Sequence, residues 1–70
     1  MLVKIETYFD GEVWCARGIG EDIFTQGNTL DDLQRNIKEA VSVHFGDIEE
    51  PITILTLSEL KLENAETTSS

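Results

Sequence analysis

The chain of 70 residues is poor in the groups from which small active sites are usually built: one cysteine, one histidine, one proline and five basic residues. A lone Cys15 excludes a disulfide within the chain. His44 is the only imidazole and no Cys/His cluster accompanies it, so no metal site is expected. The cations Lys4, Arg17, Arg35, Lys38 and Lys61 are scattered. Nucleic-acid binders gather such groups into a patch that replaces phosphate counterions, so direct nucleic-acid binding is not expected. No apolar run approaches the roughly 20 residues needed to span a bilayer. The opening MLVKIETYF is too short and too charged for a signal peptide. One unpaired thiol fits a reducing interior, and a cytoplasmic location is the expectation.

Acid is what the chain has in excess. Fourteen Asp and Glu against five Lys and Arg give a formal net charge of −9. The surplus is spread along the chain and is greatest over residues 47–70, with six acids and one base. Such a surface favours a basic protein partner electrostatically, although acidity also simply keeps small proteins soluble. Seventy residues make one domain. A chain of that length buries only about 60% of its unfolded surface, and its single core supplies about 3–5 kcal/mol. With disulfides and metal set aside, close packing or self-association must supply the rest, and a homodimer is the expectation.

Residues 2–9, LVKIETYF, alternate with period two: Val3, Ile5 and Thr7 share one side, Lys4, Glu6 and Tyr8 the other. Asp10-Gly11 follows as a hairpin turn, because that pair accepts positive φ. Residues 12–19, EVWCARGI, read as the returning strand, with apolar groups on both sides, so the inner face is not fixed by pattern. Gly20-Glu21 reads as the next turn and residues 22–26, DIFTQ, as a short strand ended by Gly27-Asn28. Thr29 is placed to cap a helix, with Asp32 three residues on and Asp31 beside it complementing the helix dipole. Leu30, Leu33, Ile37, Ala40, Val41 and His44 or Phe45 form one stripe, which predicts a helix over Leu30–Phe45 lying on a sheet. Asp31 and Arg35 are spaced as a supporting pair on its outer side. Gly46 stops the helix, and Pro51 marks the loop that follows. Residues 52–57, ITILTL, are a β-branched strand that residues 60–62 extend, and 63–70, ENAETTSS, read as a disordered tail. The fold class is therefore α+β, in the order βββαβ: a three-stranded antiparallel meander, one helix on one sheet face, and a final strand.

Candidate chemistry is sparse. Asp10, Glu12, Glu21, Asp22, Asp31 and Asp32 could form a carboxylate cluster for a metal-dependent nuclease. Each of them also stands where turns and helix starts favour acids. Glu6 is the one mid-strand carboxylate, without a partner legible in the sequence. His44 falls in the last helical turn and reads as a boundary residue, since no orienting carboxylate or nucleophile is identifiable for it. Cys15 reads as a buried, inert thiol, and Trp14 as core, or as an interface anchor if it lies on the uncovered sheet face. Gly18-Ile19-Gly20 precedes a strand and lacks the Lys-Ser/Thr of a phosphate loop. No catalytic, cofactor-binding or metal residue is assigned, and the chain reads as a non-enzyme.

The run DGEVWCARGIGEDIFTQGNTLDDLQRNIKEAVSVHF nonetheless resembles the N-terminal domain of HicB-type antitoxins. The likeness rests on Asp10-Gly11, Trp14, Thr25-Gln26-Gly27, Thr29 with Asp31 and Asp32, and Asn36-Ile37-Lys38-Glu39-Ala40, in that order and spacing. It implies a compact βββαβ domain over residues 1–62, similar to a degraded RNase H fold without its catalytic carboxylates. It also implies a small basic HicA-like partner, an mRNA-cleaving toxin that the domain binds and blocks. Gly20-Glu21-Asp22 stands where many members carry a Leu-Pro-Gly-Cys-like segment. ENAETTSS stands where operon-regulating members carry a DNA-binding domain, so the stand-alone form of the domain is expected. The leading expectation is a non-catalytic HicB-like protein-binding module. The alternative is a self-associating structural domain with no toxin partner, and a metal-dependent nuclease stands third.

Overall fold

The computed structural model describes residues 1–59. Its elements are β1 (Leu2–Phe9), β2 (Trp14–Gly18), β3 (Phe24–Gly27), α1 (Leu30–Phe45) and β4 (Thr53–Ser58), the α+β order read from the sequence. The strand extension expected at 60–62 and the tail at 63–70 lie outside the described residues. One sheet runs β3-β2-β1-β4. β1 pairs antiparallel with β2, and β2 with β3, while β4 joins the other side of β1 in parallel. A parallel neighbour cannot be reached by a hairpin, so the chain must cross over, and α1 makes that crossing. No helix among the described residues is long and apolar enough to cross a membrane.

The alternation in β1 decides which face α1 covers. Val3, Ile5 and Thr7 are buried beneath the helix side, and Leu33, Ile37 and Val41 come down on them from α1. Ala16 and Ile23 complete the buried cluster, with Trp14, Ala40, Phe45, Ile52 and Ile54 packed around it. Each large aliphatic side chain so buried is worth about 1.5–3 kcal/mol. Thr7 is the one polar residue buried among the described ones, and its hydroxyl is satisfied by the Leu57 carbonyl at 3.3 Å and the Ser58 hydroxyl at 3.0 Å. Leu30, at the start of the predicted stripe, is exposed instead of joining the core.

Both meander turns are wider than the sequence suggests. The Asp10 carboxylate accepts the backbone N–H of Glu12 and of Val13, each at 2.9 Å, and the Asp10 N–H reaches the Val13 carbonyl at 3.1 Å. That side-chain turn occupies Asp10–Val13, so β2 begins at Trp14 rather than at residue 12. In the second turn the Gly18 N–H bonds the Ile23 carbonyl and the Ile23 N–H bonds that of Glu21. β3 therefore starts at Phe24, two residues late, and runs on to Gly27, which pairs with Trp14.

The helix keeps its predicted limits. Thr29 accepts the Asp32 N–H at 3.0 Å as N-cap, and Gly46, at φ 70°, returns its N–H to Ser42. Arg35 pairs with Asp32, one residue nearer than the expected Asp31 and so at i, i+3 spacing instead of i, i+4. Where α1 starts, it lies almost in contact with the β3 backbone. A Cβ on Gly27 would stand 2.6 Å from the Leu33 nitrogen and 3.0 Å from the Asp32 carbonyl carbon. One turn further on, the Asn36 amide donates to the Gln26 carbonyl at 2.7 Å and ties the helix to the strand.

Gly27→Ala should consequently destabilise the domain by about 1–3 kcal/mol, because the obstructing atoms are backbone. A urea titration would show a lower midpoint with an unchanged slope; an unchanged midpoint would mean that α1 can move away from β3 at no cost.

Candidate functional site

The sheet has a covered and an uncovered side, and the register sorts the residues between them. Phe24, Arg17, Glu6 and Leu57 form one row across all four strands on the uncovered side, opposite Val3 and Ile5. Glu6 there finds the partner the sequence left open: Arg17 Nε donates to Glu6 Oε1 at 2.8 Å. The guanidinium also lies 5.6 Å from the centre of the Tyr8 ring, and the Glu6 carboxylate holds it above its ordinary, already high pKa. Trp14 falls in the Phe9–Trp14–Gly27 row on the covered side, half-buried against Phe9 at 5.1 Å between ring centres. It is core, not an exposed anchor.

Cys15 is buried on the side away from α1, under the hairpin turn, its Sγ 3.7 Å from Asp10 Oδ2. Burial and the neighbouring carboxylate both raise its pKa, which makes it a poor nucleophile. Asp10 moves the other way: the N–H groups of Val13 and Glu12 hold its pKa below the ordinary 3.8. Its charge is thus engaged in the turn. Glu12 sits exposed at the same tip, and Asp31 is exposed in the first helical turn. No three His, Cys, Asp or Glu among the described residues come together as a group that could hold a metal ion.

What the fold does assemble is a groove along the edge where α1 leans over β3. Its larger part, about 490 Å³, is lined by Asp22, Ile23, Phe24, Thr25 and, from the helix, Asn36, Glu39, Ala40, Val43 and His44. A smaller part, about 280 Å³, lies beyond Asn36 and is lined by Val13, Gln26, Gly27, Asn28, Asp32 and Asn36. Asn36 divides the two, held by its bond to Gln26. Asp22 and Glu39 line the larger part, which has no lysine or arginine in its lining, and Asp32 in the smaller part is paired with Arg35. Ile23 and Ala40 make an apolar floor, and Val43 stands exposed at the rim, 77% accessible. His44 closes one end, its Nε2 3.4 Å from Glu21 Oε1 and its ring edge-on to Phe45.

The groove can therefore accept a cationic side chain between Asp22 and Glu39 while apolar atoms rest on Ile23 and Ala40. None of this is visible locally in the sequence. Asp22 belongs to a turn and Glu39 to the outer side of a helix, and only the crossing of α1 over β3 makes them neighbours. The His44–Glu21 pair arises in the same way.

A UPF0150 protein of Archaeoglobus fulgidus is 40% identical to this chain over 51 residues, covering 73% of this chain and 74% of that protein. No family model and no solved structure matches the chain.

Because the folded-state pKa of Asp10 is depressed, the turn's contribution to stability is full above the ordinary aspartate value of 3.8 and is lost as the pH falls through the folded value. Wild type should thus exceed Asp10→Ala in thermal midpoint near neutrality, with the gap shrinking on acidification below that value. A gap independent of pH would assign the difference to packing alone.

Proposed function

The chain belongs to the UPF0150 family, and from that premise we propose that it is a HicB-like, non-catalytic module that binds and masks a basic protein. The observation that carries this reading is the groove between α1 and β3. Asp22 and Glu39 line its larger part with no lysine or arginine among the lining residues, on a chain whose net charge is −9, whereas Asp32 in the smaller part is already paired with Arg35. A basic partner is drawn by the field of the whole molecule and oriented by the groove. The apolar rim residue Val43 then offers contact area that acid alone does not.

An antitoxin-like role follows if the partner is a small RNA-cleaving, HicA-like toxin. Such an enzyme needs a basic surface for its own substrate, and an acidic module seated there would compete with the phosphates. Masking of this kind requires no chemistry from the module. It agrees with a thiol whose pKa is raised and an Asp10 committed to its turn. A cytoplasmic site of action belongs to the same reading.

Purification of the tagged chain from its native cell at low salt should retain a small basic protein that added salt releases. The double reversal Asp22→Lys with Glu39→Lys, both at exposed positions, should weaken the complex about tenfold or more, chiefly by slowing association. Absence of any basic protein from the low-salt eluate, or affinity indifferent to the reversals, would contradict the reading.

A further inference from the structure

We infer that the free edge of β4 is a self-recognition seam: it pairs antiparallel with β4 of a second copy and joins two four-stranded sheets into one. The two ends of the sheet are built very differently. β3 has four residues, α1 leans over it, and Asn36 occupies the Gln26 carbonyl that would otherwise face outward. At the other end β4 has six residues, TILTLS, with no charge, no proline and no glycine. The Thr53 N–H bonds the Met1 carbonyl at 2.8 Å. The alternation of parallel pairing then turns the main-chain groups of Thr53, Leu55 and Leu57 towards β1 and those of Ile54, Thr56 and Ser58 outward. Among the described residues nothing pairs with that outward row. Charge, proline, a bulge and brevity are the usual protections of an edge strand, and β4 has none of them.

The side chains favour the same occupant. On the uncovered face Leu55 and Leu57 are 44% and 42% accessible. On the helix side a slot of about 230 Å³ opens between α1 and β4, lined by Gln34, Ile37, Lys38, Ile54 and Thr56, because the helix packs towards the β3 end. A basic partner has no acid to meet on Thr53–Ser58. A second copy brings the same uncharged strand, so two molecules of net charge −9 meet where neither carries charge. A two-fold axis at Thr56 sets Leu55 of each copy beside Leu57 of the other and Thr56 opposite Thr56. All three outward residues are then paired. The acidic groove lies at the opposite end of the sheet and stays open, so this seam does not depend on the partner reading.

Sedimentation equilibrium of the full chain, together with amide hydrogen exchange, tests it. The wild type should be dimeric, with slow exchange at Ile54, Thr56 and Ser58 that speeds up on dilution. Thr56→Pro removes only an outward N–H, which an edge strand tolerates, and Thr56→Lys places like charges across the axis. Each should raise the dimer dissociation constant at least about tenfold while leaving the exchange of β1 and β2 amides unchanged. A monomer throughout the soluble range, a dimer insensitive to both substitutions, or slow exchange at the three amides in a strictly monomeric sample would each overturn the proposal.

Discussion

The close approach of α1 to β3 is the constraint on which the rest of this structure depends. Gly27 has no Cβ, so the first turn of the helix can lie against the strand backbone, and Asn36 fastens the next turn to Gln26. That placement sets Leu33, Ile37 and Val41 over Val3, Ile5 and Ala16. It also brings Glu39 to Asp22 along one edge of the sheet, while the slot beside β4 stays open at the other. One packing decision thus yields a core, an acidic groove and an unshielded strand.

Charge and packing are divided between the two ends. Net charge keeps copies of the chain apart in general and draws basic surfaces towards it. The run of β4 carries no charge, whereas the α1–β3 groove gathers Asp22 and Glu39 along its lining. The uncovered sheet face between them mixes the two kinds of surface: Leu2, Leu55, Leu57 and Phe24 are exposed around the Glu6–Arg17 pair.

Elements governed by local chemistry were legible in the sequence. Thr29 and Gly46 bound the helix because caps act on neighbouring backbone groups, and the period of β1 told its two faces apart. Strand starts were missed where a side chain or a turn intervened: the Asp10 carboxylate delayed β2, and the Gly18–Ile23 bond delayed β3. Trp14 could not be placed, since β2 is apolar on both faces and only pairing with Phe9 and Gly27 assigns it. The groove was illegible for a deeper reason. Its acids come from a turn and from the outer side of a helix, and the crossover, not any spacing in the sequence, joins them.

The parallel pairing of β1 with β4 has a consequence for how the chain acquires its fold. β1 lies inside the sheet, yet one of its two neighbours is the last strand described, with Leu2 opposite Thr53 and Thr7 opposite Ser58. The meander and the helix are built from neighbouring segments, whereas one flank of β1 is completed only by the distant β4. Closing so long a loop costs only slowly growing entropy, but it delays the reward until that contact forms. Thr7, buried in the folded chain, exchanges water for the Leu57 carbonyl and the Ser58 hydroxyl when that contact forms. The β1–β4 pairing is thus the longest-range pairing in the described sheet, and the strand that closes the sheet around β1 is also the one that carries its outer edge.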